Sequence, residues 1–257
     1  MHYLLIACDV FQESIDNFKN QTLHRITPVY LKLEAHLEPG KLHQELQDII
    51  DDAEGQPYDM ILMAYGLCGN ATNGIKARSI PIVIPRAHDC CTLFLGSISR
   101  FLEYFGENLS AQWTSSSYLA KSNQGMYSAN VKDTLSYFGL SEEYEDLVKQ
   151  YGEDNAQYLW DTLHSKDQYN TKIFYISTGA PDDEKNIEKL KQTAKEEGKT
   201  FHLITGNLSL IEGLFSEKWG NEYLVVAPGE RIVSTNDLDT VITVEKLPKI
   251  EKKLQNL

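Results

Sequence analysis

The chain has 257 residues, 42% hydrophobic and 24% charged, with a formal net charge of −13. That length suits one large or two small domains with a buried core, and the acidic excess excludes a nucleic-acid-binding surface, because phosphate recognition needs a basic face. No apolar run nears the ~20 residues of a membrane span, and four irregularly spaced cysteines make no disulfide framework, so a cytoplasmic protein with free thiols is expected.

Residues 3–8 read as a buried strand and 12–21 as a polar helix. A second strand is expected over 28–36, where Val29, Leu31, Leu33 and Ala35 alternate with polar neighbours. Pro39-Gly40 marks a turn, after which Leu42, Leu46, Ile49 and Ile50 recur at helical spacing through Ala53. Strands follow at 59–65 and 80–85, then an apolar helix from Thr92 to Phe105. This alternation predicts a parallel sheet with helical crossovers.

Residues 110–170 differ. Polar loops surround Trp113 and Tyr118, and helical stretches run from about Val131 to His164. The aromatics Tyr137, Phe138, Tyr144, Tyr151, Tyr158 and Trp160 have two readings: helix packing, or a lid or pocket wall over the strand ends. Alternation returns with strand 172–177, helix 183–197 closed by Gly198, strand 200–205, helix 208–218 and strand 222–227. The charged, amphipathic tail 245–257 is expected to dock a last short helix. The predicted fold is α/β with a Rossmann-like three-layer architecture. It divides into a first α/β block (1–109), a helical aromatic-rich insert (110–170) and a second α/β block with its tail (171–257).

All four cysteines fall where a predicted strand runs out. In open α/β sheets ligands bind beyond the carboxyl ends of the strands, so these positions can converge on one site. Cys8 ends the first strand, where it reads either as a buried strand cysteine or as part of that site. Cys68 stands between Gly66 and Gly69 in Tyr65-Gly66-Leu67-Cys68-Gly69-Asn70, where glycine permits a sharp turn and close approach to a ligand. Gly66, Gly69 and Asn70 are therefore candidate cofactor-binding positions, although Asn70 and Asn73 also serve turns well.

The segment Pro85-Arg86-Ala87-His88-Asp89-Cys90-Cys91-Thr92 precedes an apolar helix, whose dipole and free N–H groups favour thiolate at Cys90 and Cys91. His88 and Cys90, two apart in an extended loop, can face one metal; the alternatives are a capping histidine and a buried Cys91. Arg86 reads as a substrate-binding cation or as a partner of Asp89. Glu13 is a weaker candidate base, and Glu230, Arg231 and Ser177-Thr178-Gly179 are rim candidates. No phosphate-loop or dinucleotide pattern occurs, which argues against ATP or dinucleotide use. Cys8, Cys68, His88 and Cys90 together supply three sulfurs and one nitrogen, a set suited to zinc first and to an iron–sulfur cluster second.

These segments together resemble a domain-of-unknown-function family of methanogenic archaea and anaerobic bacteria. The residues that carry the likeness are Ile6-Ala7-Cys8, Tyr65 to Asn70, and Ile84 to Cys90 with Leu93-Phe94-Leu95-Gly96-Ser97. Tyr151-Gly152-Glu153-Asp154-Asn155-Ala156 extends it over most of the chain. The resemblance implies a setting near corrinoid-dependent methyl transfer, with no established activity. One departure is Gln112-Trp113-Thr114-Ser115-Ser116-Ser117-Tyr118, where the family has a Gly/Tyr/Pro/Trp-rich stretch. The pair His88-x-Cys90 is also similar to that of zinc methyltransferases, in which zinc presents a substrate thiolate to a methyl donor, although here the further cysteines lie upstream.

The expected function is thus a metal-binding protein of anaerobic one-carbon metabolism, with a small thiol or methylated substrate and a corrinoid protein or methyltransferase as partner. Catalytic roles would fall to His88, Cys90 and Arg86. The alternative is a non-catalytic corrinoid or small-molecule binding module; a metal-free enzyme with Cys90 as nucleophile and His88 as base ranks last.

Overall fold

The computed structural model describes residues 1–106, 111–122, 144–164, 171–235 and 237–248. It is a mixed α/β structure whose central sheet is mostly parallel and flanked by helices, in keeping with the Rossmann-like fold class. The central sheet has strand order β2-β1-β3-β4-β8. Its strands are β1 (His2–Cys8), β2 (Arg25–Leu31), β3 (Met60–Ala64), β4 (Ile82–Pro85) and β8 (Tyr223–Val226). The inner strands β1, β3 and β4 are almost wholly apolar because both of their faces are covered. At the edge, β2 is half-buried throughout and tolerates Pro28.

Helices α1 (Gln12–Lys19) and α2 (Pro39–Asp52) carry the first two crossovers, and Leu42, Leu46 and Ile50 turn the inner face of α2 into the core. Between β2 and α2 lies a 3-10 turn, Leu33–Leu37, that takes the second half of the strand expected over 28–36. The Asp9 carboxylate holds this turn, accepting from Leu33 N at 2.9 Å. The continuous helix expected over 92–105 is instead two, α3 (Cys90–Leu95) and α4 (Ile98–Phe105). Gly96 ends α3 in the left-handed conformation at φ 82°, and a Cβ there would stand 2.6 Å from Asn207 O. Ser97 then caps α4 through Arg100 N.

A second, all-parallel sheet has the order β5-β6-β7, comprising β5 (Gln112–Thr114), β6 (Lys172–Ser177) and β7 (Thr200–Thr205). The strand β5 and helix α5 (Ser116–Lys121) occupy a stretch read from sequence as loop. Helices α6 (Tyr144–Tyr151) and α7 (Glu153–His164) follow within the expected helical insert. The remainder of that reading, 123–143 and 165–170, lies outside the described residues, Tyr137 and Phe138 included. Helix α8 (Asp183–Glu196) crosses from β6 to β7, and α9 (Ser209–Glu212) follows β7. The Asp183 carboxylate accepts from the Ser116, Tyr175 and Ser177 hydroxyls and from Gly179 N, which ties α8 to the ends of β5 and β6. Phe94 against Trp113 at 5.9 Å and Phe105 against Phe174 at 4.8 Å join the two sheets in one apolar core.

The strand expected at 222–227 forms, but β8 pairs antiparallel with β4 of the central sheet rather than with β6–β7. After it, β9 (Glu230–Ser234) and β10 (Ile242–Lys246) make an antiparallel ribbon. The tail reading over 245–257 therefore begins inside a strand, and its residues from 249 on lie outside the described ones. The ribbon is bonded to the loop after β3: Gly74 N donates to Ile232 O at 2.7 Å, Ile232 N to Ile75 O at 2.8 Å and Ala77 N to Glu230 O at 3.0 Å.

Candidate functional site

Parallel pairing sets Ala7 beside Ala64 and Ile61 beside Ile82, so β1, β3 and β4 run out on the same edge of the sheet. Cys8 is the last residue of β1. Cys68 follows β3 in a turn where Cys68, Gly69 and Asn70 all take positive φ, at 47°, 64° and 70°. Cys90 opens α3. Two hydrogen bonds zip the turn to the β4 extension, from Leu67 N to Ala87 O at 2.8 Å and from Cys68 N to His88 O at 2.9 Å. Gly66 makes this possible, since a Cβ there would lie 2.7 Å from Asp89 N and 2.9 Å from Ala87 O.

Cys8, Cys68 and Cys90 line a single cavity of about 160 Å³. Gly66, Gly69, Tyr65 and Asp89 line it too, with Phe11, Leu42 and Leu93 among its apolar walls. Burial pushes the Cys8 and Cys68 thiols up to about 12 and raises Cys90 and Cys91 well above the ordinary thiol value. Asp89 adds to the rise at Cys68, Cys90 and Cys91, and the three cavity sulfurs reinforce one another. The thiolate expected at the start of α3 is thus outweighed, because a six-residue helix among buried acids offers too little positive potential against desolvation. Asp89 itself is raised by burial while its carboxylate caps α3, accepting from Thr92 N at 3.1 Å.

Two residues assigned catalytic or metal-binding roles from the sequence stand elsewhere. His88 does not line the cavity: its Nε2 donates to Leu238 O at 3.1 Å, and its ring lies 5.4 Å from that of Phe101. The reason is local. Along the extended segment 86–89, Arg86 and His88 share one side, and the chain turns into helix at Cys90, two residues earlier than expected. Arg86 likewise donates to Thr240 O at 3.1 Å and to Ile242 O, anchoring the ribbon rather than facing the cavity. Cys91 is fully buried, as its structural reading held. Asn70 lies in the left-handed turn, outside the cavity lining. Glu13 is exposed on α1, Arg231 pairs with Glu245, and Ser177 OH and Gly179 N–H are spent on Asp183.

Other lining residues went unrecognised in the sequence. Lys32 precedes the 3-10 turn, Leu33 and His36 come from within it, the whole stretch having the pattern of a strand, and His36 Nδ1 donates to Leu33 O. Tyr118 of α5 forms part of the wall, its ring 5.0 Å from Trp113. Tyr65 opens the glycine-flanked turn of Cys68. Its side chain is buried, and its hydroxyl finds no hydrogen-bond partner among the described residues.

Soft sulfurs from three strand ends around one space suit zinc or an iron–sulfur species in kind. Among the described residues, however, no group of three or more His, Cys, Asp or Glu side chains is arranged to hold a metal ion. The thiols share a cavity without forming a closed coordination shell, and His88 does not complete one. No helix among the described residues is long and apolar enough to cross a membrane.

No curated protein and no solved structure matches the chain significantly. The model of the family described as a protein of unknown function, DUF1638, matches residues 30–215, a span that holds Cys68, Cys90 and most of the cavity wall and covers well over half of the chain. The chain belongs to the DUF1638 family.

Proposed function

We propose that the cavity at the carboxyl edge of the central sheet is a ligand-binding site whose chemistry is carried by Cys8, Cys68 and Cys90. Its first candidate occupant is a soft metal ion, zinc before an iron–sulfur species, with a small thiol or methylated compound as co-ligand or substrate. The observation that supports this is the convergence of three sulfurs from three separate strand ends on one cavity. Cys8, Cys68 and Cys90 would hold the metal, drawing closer together than they stand and losing their protons. A position left open for an outside sulfur follows from the absence of His88. Bound there, zinc would supply Lewis-acid polarisation of that sulfur. A role beside corrinoid-dependent methyl transfer fits this chemistry as the metabolic setting.

A second reading is favoured by the raised thiols, Cys8 buried and Cys68 partly so: a binding module for a small molecule, without metal or turnover. The cavity volume bounds either reading, since a space of this size holds a benzene-sized molecule. A corrinoid is many times larger, so such a partner would dock at the mouth instead of entering.

The test is metal analysis and a UV–visible spectrum on protein purified without oxygen, for wild type and for Cys8→Ala, Cys68→Ala and Cys90→Ala. About one zinc per chain in wild type, lost in each variant, is the expected result, and colour with labile sulfide moves the assignment to a cluster. Metal content unchanged across all three variants refutes the metal reading, and metal-free wild type leaves the binding module.

A further inference from the structure

The most telling group in the cavity is one that no motif assigned. Tyr65 lines it and is only 4% exposed, yet its hydroxyl has no hydrogen-bond partner among the described residues. An unmade hydrogen bond at a buried hydroxyl costs about 1–3 kcal/mol, so such groups are rare unless something outside the chain completes them. Tyr65 shares the cavity lining with Cys8, Cys68 and Cys90, and Cys8, Cys68 and Asp9 lie within electrostatic reach of its hydroxyl. Burial and these neighbours raise the phenol far above its ordinary value, so it keeps its proton and offers a donor. Apolar walls leave few alternatives for that donor. Among the described lining residues the basic side chains are Lys32 and His36, while the acid Asp89 is engaged in capping α3.

We infer that Tyr65 is a ligand-recognition residue whose hydroxyl donates to a carboxylate oxygen of a small thiol-bearing acid, the ligand's sulfur lying toward Cys8, Cys68 and Cys90. The inference rests on the proposal that the cavity is a ligand site and adds the class of molecule it selects. Lys32 and His36 favour the negative charge, and the volume limits the acid to roughly the size of benzene.

Mercaptoacetate and ethanethiol test this, because they share a thiol and differ in the carboxylate. Affinities are measured by calorimetric titration on anaerobically purified wild type and Tyr65→Phe, and thermal unfolding is recorded for both proteins without ligand. Wild type is expected to bind mercaptoacetate about ten- to a hundredfold more tightly than ethanethiol. Tyr65→Phe should lose that preference, keep its affinity for ethanethiol, and unfold at or above the wild-type temperature, since it gives up a hydroxyl with no partner among the described residues. Equal preference in both proteins overturns the role of Tyr65 while leaving the cavity a thiol site. Marked destabilisation by Tyr65→Phe overturns it too, by showing that the hydroxyl holds the fold. If wild type binds neither thiol, the inference falls along with the ligand site beneath it, whereas metal loss in the cysteine variants is read separately.

Discussion

Gly66→Ala tests whether the site depends on direct backbone contact between the β3 turn and the β4 extension. The added methyl would sit 2.7 Å from Asp89 N, 2.9 Å from Ala87 O and 2.9 Å from Asp89 Cα. All three are main-chain atoms and cannot rotate away, so one segment must shift, straining the bonds from Leu67 N to Ala87 O and from Cys68 N to His88 O. Overpacking of this kind costs about 1–3 kcal/mol, and unyielding neighbours put Gly66→Ala near the upper end. For a chain of this size that lowers the unfolding temperature by about 6–12 °C. Gly40→Ala is the matched control. It lies in the first turn of α2 with nothing within 4 Å of the new methyl, and it should gain about 0.5–1 kcal/mol. Thermal unfolding of both variants, with thiol or metal binding by Gly66→Ala, provides the assay. An unfolding temperature for Gly66→Ala within about 1 °C of wild type would refute the close approach on which the shared cavity depends.

Three further outcomes follow from the geometry. Cys68 is held at φ 47°, where a β-carbon costs about 1–2 kcal/mol, so Cys68→Gly should unfold at a higher denaturant concentration than Cys68→Ala; the reverse order would contradict the left-handed turn. Cavity thiols at about 12 remain protonated at pH 8, so iodoacetamide should label Cys8 and Cys68 of metal-free protein far more slowly than a free thiol and accelerate into the alkaline range, as peptide mapping would show; rapid labelling that is flat from pH 7 would count against this. Burial alone would raise the Asp183 carboxyl, but hydrogen bonds from Ser177, Tyr175, Ser116 and Gly179 outweigh it and hold the group below its ordinary range. Its contribution is therefore complete above the unfolded value near 4 and is lost as pH falls through the lower folded value. Asp183→Asn should cost about 3 kcal/mol at pH 7 and flatten the acid limb of a denaturation-versus-pH series; an unaltered acid limb would remove Asp183 from that role.

The sequence reads best where one local property decides the outcome. β6 and β7 have the bounds expected of them: the apolar run 173–176 between polar punctuation defines β6 and is buried throughout, while β7 is an edge strand with Ile204 as its buried residue. The convergence of Cys8, Cys68 and Cys90 was likewise legible, since parallel strands must end on one edge. Misreadings arose where a distant partner or a one-residue phase decides. The run Tyr223–Val226 fits either sheet, and only pairing with β4 assigns it. His88 and Cys90 do not face one side because helix begins at Cys90, two residues earlier than the sequence indicates, so the alternation of the extended segment ends at Asp89. Gly96 split the apolar helix through its contact with Asn207, far along the chain. Lys32 and His36 were hidden by a strand pattern that continues, in composition, beyond the point where Asp9 bends the chain into a 3-10 turn.

The ribbon that follows β8 has a consequence for biosynthesis. Both cysteine segments are fastened from the far end of the chain, the β3 turn by Ile232 and Glu230 and the β4 extension by Leu238, Thr240 and Ile242. The His88–Leu238 bond alone spans 150 residues. At about 5–20 residues added per second, the ribosome needs roughly 8–30 s between making His88 and making its clasp. Throughout that interval the nascent chain carries Cys68 and Cys90 on segments not yet fastened by the ribbon. Long-range closure of this kind is slow and comes last, so metal, oxidant or chaperone can reach these segments before their clasp is made.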